Sequence, residues 1–163
     1  MSTATLEDAA AICAIQNSII AKSNASFKQR PRTLAEVEVW LSERLEGGWP
    51  ILLAKSEDGH VLGYGTFAPF REGRAFDRTV EHTVQVNESA RGQGIGSMLL
   101  DALIAKAELD GHRVMIGTID GGNEVSLTYH SKHGFAETGR LPGVAMKNDE
   151  IIDMVIMQRK LSA

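Results

Sequence analysis

The sequence contains a single cysteine, Cys13, in 163 residues. An intramolecular disulfide is therefore excluded, and a zinc site built from thiolates would lack partners. Cys13 lies in the run Ala9-Ala10-Ala11-Ile12-Cys13-Ala14-Ile15 and reads as a small buried helix residue rather than a nucleophile. An excess of positive charge is also missing. The formal net charge is -4, which leaves no broad electrostatic footprint for nucleic acid. No apolar run approaches the ~18 residues needed to span a bilayer, and no basic segment followed by an apolar one opens the chain. The expectation is a cytoplasmic protein with no membrane and no nucleic-acid partner. Internal repeats, low-complexity stretches and interdomain linkers are absent as well, so residues 1–163 are expected to form one domain.

What is present is a globular composition, 43% hydrophobic and 23% charged, with clear periodicity. Thr5 and Asp8 mark a helix start, and Ile12, Ile15, Ile19 and Ile20 follow at helical spacing. A second helix begins at Thr33, whose Glu36 completes a capping box, and stops at Gly47-Gly48. Trp40 and Trp49 read as core anchors. The period then changes to that of a strand. Residues 51–55 and 61–67 flank an Asp58-Gly59 turn, and a third strand covers 79–86 after the loop 68–78. A helix over about 96–110, a strand over 114–119, a short helix from Asn123 to Gly134, and strands over 135–141 and 151–161 complete the chain. With a weak first strand near Met1 to Ala4, the order is β-α-α-β-β-β-α-β-α-β-β, a mixed α/β layer architecture.

The stretch Val84 to Ser97, reading VQVNESARGQGIGS, links a β-branched strand to a helix through three glycines. Such a turn presents unpaired backbone N–H groups at the positive end of a helix and suits an anion such as a pyrophosphate. It is not a P-loop, because no Gly-Lys-Ser/Thr follows the glycines. It is a poor dinucleotide fingerprint, because Ser97 stands at the third glycine and the loop comes far into the chain. The remaining pattern, Arg91-x-x-Gly94-x-Gly96, resembles the RxxGxG/A signature of the GNAT N-acetyltransferase superfamily, whose element order is also the one read above.

Three segments carry candidate chemistry. In Thr79 to Val86 the residues alternate, so Glu81, Thr83 and Gln85 share one face opposite Val80, His82, Val84 and Val86. A glutamate in such a strand is costly to bury unless something holds or uses it, and it makes a general base directly or through one water. At ~3.4 Å per residue, Glu81 lies about the span of an extended pantetheine arm from the glycine cradle. The second segment, Asn123 to Phe135, offers Asn123 as a helix cap and His130 four residues before Gly134. His130 has two polar nitrogens and a suitable pKa for assisting a leaving thiolate, and Tyr129, one residue off register, competes for that role. His82 and His133 read as ordinary packed or surface histidines. The third is the loop Phe67 to Arg78, in which three arginines and three phenylalanines suit a small anionic or zwitterionic ligand.

Together these segments resemble the phosphinothricin and methionine sulfoximine or sulfone acetyltransferases, a branch of that superfamily. The match is carried by residues 11–15 with Asn17, Pro50, Phe70-Arg71, Ala75-Phe76-Asp77, Thr79-Val80-Glu81-His82-Thr83-Val84, Arg91 to Gly96, Asn123, His130, Gly134-Phe135, Lys147 and Asp153. The resemblance implies a direct transfer of acetyl from acetyl-CoA to the α-amino group of a small amino-acid analogue, with no metal. Glu81 would be the base and His130 the group beside the leaving thiolate. Val84, Gln85 and Val86 would hold the thioester and pantetheine through their backbone, and Asn123 the coenzyme arm. The pyrophosphate would fall to Arg91, Gly92, Gln93, Gly94, Ile95, Gly96 and Ser97. Arg71, Glu72, Gly73, Glu81, His82 and Thr83 would line the substrate pocket, and the enzymes of this branch commonly form homodimers. Gln16 stands where the branch usually has tyrosine, Lys28 where an acidic or amide residue is usual, Ile151 where it has tryptophan, and Asp77 where the methionine sulfoximine enzymes have arginine. The rival readings are a protein N-terminal or lysine acetyltransferase and, from another class, a non-catalytic acyl-CoA-binding module.

Overall fold

In the computed structural model, which describes residues 1–162, the chain runs β1 (Ser2–Thr3), α1 (Ala9–Lys22), α2 (Leu34–Glu46), β2 (Ile51–Lys55), β3 (Val61–Pro69), β4 (Thr79–Val86), α3 (Ile95–Leu109), β5 (Val114–Asp120), α4 (Glu124–Lys132), β6 (Ala136–Lys147) and β7 (Glu150–Lys160). This is the expected mixed α/β order. The helix starts are local chemistry. Thr33 Oγ1 accepts from the Glu36 N–H at 3.2 Å and the Thr33 N–H reaches the Glu36 carboxylate at 2.8 Å, which closes the capping box. A short 3-10 turn, Leu6–Asp8, precedes α1, and the Asp8 carboxylate accepts from the Thr5 N–H at 2.9 Å.

Seven strands form one sheet in the order β1-β2-β3-β4-β5-β7-β6. All neighbours are antiparallel except β4 and β5. The parallel ladder is short: Thr79, Val80 and Glu81 pair with Val114, Met115 and Ile116, and β4 then continues for five more residues, to Val86. The two strands separate from Glu81 onward.

The two faces of the sheet are covered by different helices. On one face Ile12, Ile15 and Ile19 of α1 and Val37 and Leu41 of α2 close over Ile51, Leu53 and Tyr64. On the other, Leu100, Leu103, Ile104 and Ala107 of α3 close over Phe67, Val80, Met115, Ile119 and Phe135. Burying each fully enclosed leucine contributes about 1.5–3 kcal/mol. The α3 helix lies so close to β3 that a Cβ on Gly65 would stand 2.9 Å from Leu103 Cδ1. The start of α3 packs through Ile95 and Leu99 against Val84 and Val86 of β4.

Most boundaries fall within a few residues of the sequence reading, and the largest difference is in β6. β6 runs to Lys147 instead of ending at Leu141. Pro142-Gly143 reads locally as a stop, but the register shift between Leu141 and Ala145 absorbs it as a bulge. β6 is an edge strand, where a missing N–H removes no ladder bond. The hairpin then closes through Asn148 and Asp149, both at positive φ (51° and 62°), as a two-residue primed turn requires.

Candidate active site

Glu81 occupies the last rung shared by β4 and β5, opposite Ile116. Its Oε1 accepts the Thr118 hydroxyl at 2.6 Å. Thr118 lies two residues beyond Ile116 and so on the same face of β5. The carboxylate is thereby fixed at the mouth of the strand gap, on the side covered by α1 and α2. Thr118 was missed by sequence reasoning; its only signal is a lone hydroxyl in the apolar run Val114 to Ile119.

The glycine stretch turns the chain from β4 into α3. Gly92 and Gly94 have φ of +75° and +78°, and Gly94 caps α3 in the left-handed region. Its carbonyl accepts the first helical bond, from the Met98 N–H at 3.0 Å, so the N–H groups of Ile95, Gly96 and Ser97 precede the ladder and remain for an anion. Arg91, Gly92, Gln93 and Gly94 are exposed and Ile95 is buried against Ala54, Ala90 and Leu99. Beyond Glu81, the β4 edge that carries Val84, Gln85 and Val86 has no β5 partner among the described residues. An extended strand edge open on its β5 side, donors at a helix start and a turn with glycine at 92 and 94 fit an acyl-coenzyme arm followed by its pyrophosphate.

Across the gap, Asn123 Oδ1 caps α4 by accepting the Ser126 N–H at 3.0 Å. His130, buried on α4, holds its Nδ1 2.7 Å from the Ser126 carbonyl. A carbonyl only accepts, so Nδ1 carries the proton and Nε2 is the free nitrogen. Burial pulls the pKa of this imidazole down, only partly offset by the Ser126 bond. Tyr129 donates its hydroxyl to the Gly96 carbonyl at 2.7 Å, linking α4 to the cradle, and burial raises its pKa.

His82 does not stand with Glu81. As neighbours on a strand they face opposite sides, and the structure turns His82 toward α3 and α4, where its ring lies 5.1 Å from that of His130 and 5.2 Å from that of Phe135. It is 7% exposed, and neither ring nitrogen has a hydrogen-bond partner among the described residues. Its side chain therefore does not reach the Glu81 side of the sheet. Burial, reinforced by the His130 and His133 rings, holds its pKa down to about 3. Thr83, by contrast, is exposed on the Glu81 side.

The loop between β3 and β4 holds Arg71, Glu72 and Gly73, all exposed. Arg71 stacks 5.0 Å from the centroid of Phe70, which meets Phe76 edge-on. The loop leaves the sheet at the Glu81 end, since Ala68 of β3 pairs with Glu81. Gln16 is buried and donates to the Tyr64 hydroxyl at 3.1 Å, and Tyr64 donates to Gln85 Oε1 at 3.0 Å, so this departure from the family pattern is wired to β4. Lys28 lines a groove along α2, whereas Ile151 and Asp153 line a separate groove near Asp120. Asp77 is exposed at the end of the arginine loop. Among the described residues, no group of three or more His, Cys, Asp or Glu side chains is arranged to hold a metal ion, and no helix is long and apolar enough to cross a membrane.

Residues 17–135 match the Acetyltransferase (GNAT) family. The chain is 37% identical, over 97% of its length and 92% of the relative's, to an L-methionine sulfoximine/L-methionine sulfone acetyltransferase of Pseudomonas paraeruginosa. It is 37% identical to a phosphinothricin N-acetyltransferase of Alcaligenes faecalis, over 96% of this chain and 80% of that one. The crystal structure of a GNAT superfamily phosphinothricin acetyltransferase from Sinorhizobium meliloti in complex with AcCoA superimposes with a TM-score of 0.95 at 30% identity, over 99% of this chain and 87% of that one. The chain thus belongs to the acetyltransferase (GNAT) family and is an acetyl-CoA-dependent N-acetyltransferase.

Proposed function

We propose that the acceptor is the α-amino group of a small amino-acid analogue of the phosphinothricin, methionine sulfoximine or methionine sulfone type. The observation that carries this reading is the position of Glu81: held by Thr118 on the last rung before the strands part, beside the arginine-bearing loop. Acetyl-CoA supplies the activated thioester carbonyl. Glu81, through one water, removes the ammonium proton so that the amine attacks as a free base. A backbone N–H near Val84 stabilises the charge that develops on the carbonyl oxygen. Arg71 pairs with the acceptor's carboxylate, with Glu72, Gly73 and Thr83 around it. Arg91 and the backbone from Gly92 to Ser97 hold the pyrophosphate, and Val84 to Val86 with Asn123 hold the pantetheine.

His130 is the group that assists the departing thiolate, because the Tyr129 hydroxyl proton is donated to Gly96 while His130 Nε2 is uncommitted. With Nδ1–H on Ser126 and the charged form disfavoured by burial, His130 acts as a carrier that takes up a proton during turnover and passes it on, not as a resident cation.

The test is thiol release from acetyl-CoA with phosphinothricin, methionine sulfone, methionine sulfoximine, polyamines and peptides offered in parallel. Turnover of the amino-acid analogues is expected. Preference for peptides would give the protein N-terminal or lysine reading, and coenzyme binding without turnover on any amine would leave only a binding module. The expected setting is the cytoplasm, where acetyl-CoA is available, with the chain acting as one domain. The expected assembly is a homodimer. Met146 and Ile151, paired across the β6–β7 hairpin, and Val144 stand exposed, and exposed apolar side chains of this kind favour association with a second copy. Light scattering should give twice the monomer mass, and Val144→Glu with Ile151→Lys should return it to one.

A further inference from the structure

Arg32 and Arg44 are half-buried cations that form no direct ion pair among the described residues. Both guanidiniums lie 5.6 Å from the centroid of the Trp40 ring, and Trp40 meets Tyr64 edge-on. Arg32 donates to Gln16 Oε1 at 3.2 Å and to the Glu36 backbone carbonyl at 2.6 Å; Arg44 donates to the Phe67 carbonyl at 3.2 Å. All three acceptors are neutral. Neither arginine forms an ion pair among the described residues, although Arg30 pairs with Glu36 and Arg140 with Glu137. Removing a guanidinium from water without a matching anion is costly. A planar fork with unused N–H groups is well shaped to take a carboxylate or phosphinate in two parallel bonds.

Their location connects them to the reaction. The Phe67 carbonyl that anchors Arg44 precedes Ala68, the partner of Glu81, and the Glu81 carboxylate acts on Arg44. Arg32 is drawn inward by Gln16, the first link of the chain through Tyr64 to Gln85. Gln85 is on the same strand face as Glu81. A tyrosine at position 16, usual in the branch this chain resembles, would offer no amide carbonyl to Arg32. A groove of about 690 Å³ lined by Arg32 and Trp40 opens to solvent on the Arg32 side; Lys28 and Arg30 line it together with Glu36, which Arg30 neutralises, and Glu43, while Arg44 stands behind Trp40 outside its lining. Arg71 lies on a different element, the loop between β3 and β4.

We propose that Arg32 and Arg44, gathered at Trp40, form a second anion-recognising subsite beside Glu81, and that the preferred acceptor carries a distal oxyanion in addition to its α-carboxylate. The proposal rests on the amino-acid reading above and narrows it to acidic analogues. Phosphinothricin, with an anionic phosphinate, and methionine sulfone, with a neutral sulfone, are the discriminating pair. In the full-length protein, Arg32→Gln and Arg44→Gln are each expected to raise KM for phosphinothricin at least five times more than KM for methionine sulfone, and Arg44→Lys to recover only part of the loss, because an ammonium cannot make the bidentate contact. Melting temperatures measured alongside identify a variant that fails to fold, in which case the Lys variant decides. Equal loss on both acceptors, or a wild type that takes the sulfone and refuses phosphinothricin, overturns the subsite while leaving the amino-acid reading intact. A wild type that acetylates neither, yet acetylates polyamines or peptides, overturns both.

Discussion

The Thr118 hydroxyl lies 2.6 Å from Glu81 Oε1, a bond between side chains on the two strands that diverge one residue later. It connects the last closed part of the sheet to the first open part. A carboxylate alone at the end of a ladder could take several rotamers; this one is held by a donor whose own β-branched side chain is stiff at χ1. Removing the carboxylate charge as Glu81→Gln should lower kcat by ~10²-fold or more at neutral pH, with little change in coenzyme affinity. Thr118→Val keeps the shape and deletes the donor, and should lower kcat by ~10-fold, with Thr118→Ser restoring most of it. Steady-state kinetics on the three variants test this, and wild-type turnover by Glu81→Gln would remove Glu81 from the base role.

Arg71 offers its guanidinium from an exposed, aromatic-stacked position, where its contribution is to binding. Arg71→Ala should raise KM for carboxylate-bearing acceptors by ~10-fold and leave kcat nearly unchanged. Assays with an acceptor and its decarboxylated amine check it, since equal losses on both would mean that the loop does not read the carboxylate.

Gly94 caps α3 at φ +78° with open space where a side chain would stand. Gly94→Ala should therefore cost about 1–2 kcal/mol of backbone strain without a clash. The added methyl would also face the anion cradle, so KM for acetyl-CoA should rise more than KM for the acceptor. A thermal melt and a coenzyme titration measure the two effects separately.

His82 predicts the acid limb of stability. Its pKa is about 3 in the folded protein and near 6.5 in an unfolded chain, so between those values the unfolded state binds the extra proton. The contribution of neutral His82 is complete above about pH 6.5 and is lost progressively as pH falls toward about 3. His82→Phe should flatten the fall in melting temperature across that window while leaving the part due to His130, and at neutral pH it should not destabilise, because neither ring nitrogen is bonded. Melts at a series of pH values would show an unchanged slope if the ring is protonated in the folded protein.

What could be read in the sequence was what is decided within a few residues. The Thr33–Glu36 box, the Gly92–Gly94 turn, the β4 bounds and the Asn123 cap all sit where local chemistry predicts them. The β6 extension was hidden because Pro142-Gly143 is a stop signal locally and a bulge only when an edge strand accommodates it. The supports of the site were hidden for a related reason. Thr118 meets Glu81 across 37 residues of sequence, and Tyr64 joins Gln16 to Gln85 across 48 and 21; no period or spacing signals such pairs. Alternation along β4 does require His82 and Glu81 to face opposite sides, and their side chains do.

The parting of β4 and β5 leaves a stretch of β4 backbone paired with β3 on one edge and without a strand on the other. A bound acyl-coenzyme arm would act there as a guest strand, so coenzyme occupancy and folding are thermodynamically linked. At a free coenzyme concentration of ~100 times Kd the folded state would gain ~2.7 kcal/mol. The melting temperature of this protein should therefore serve as a gauge of the acetyl-CoA level around it, and a starved protein would be the less durable one.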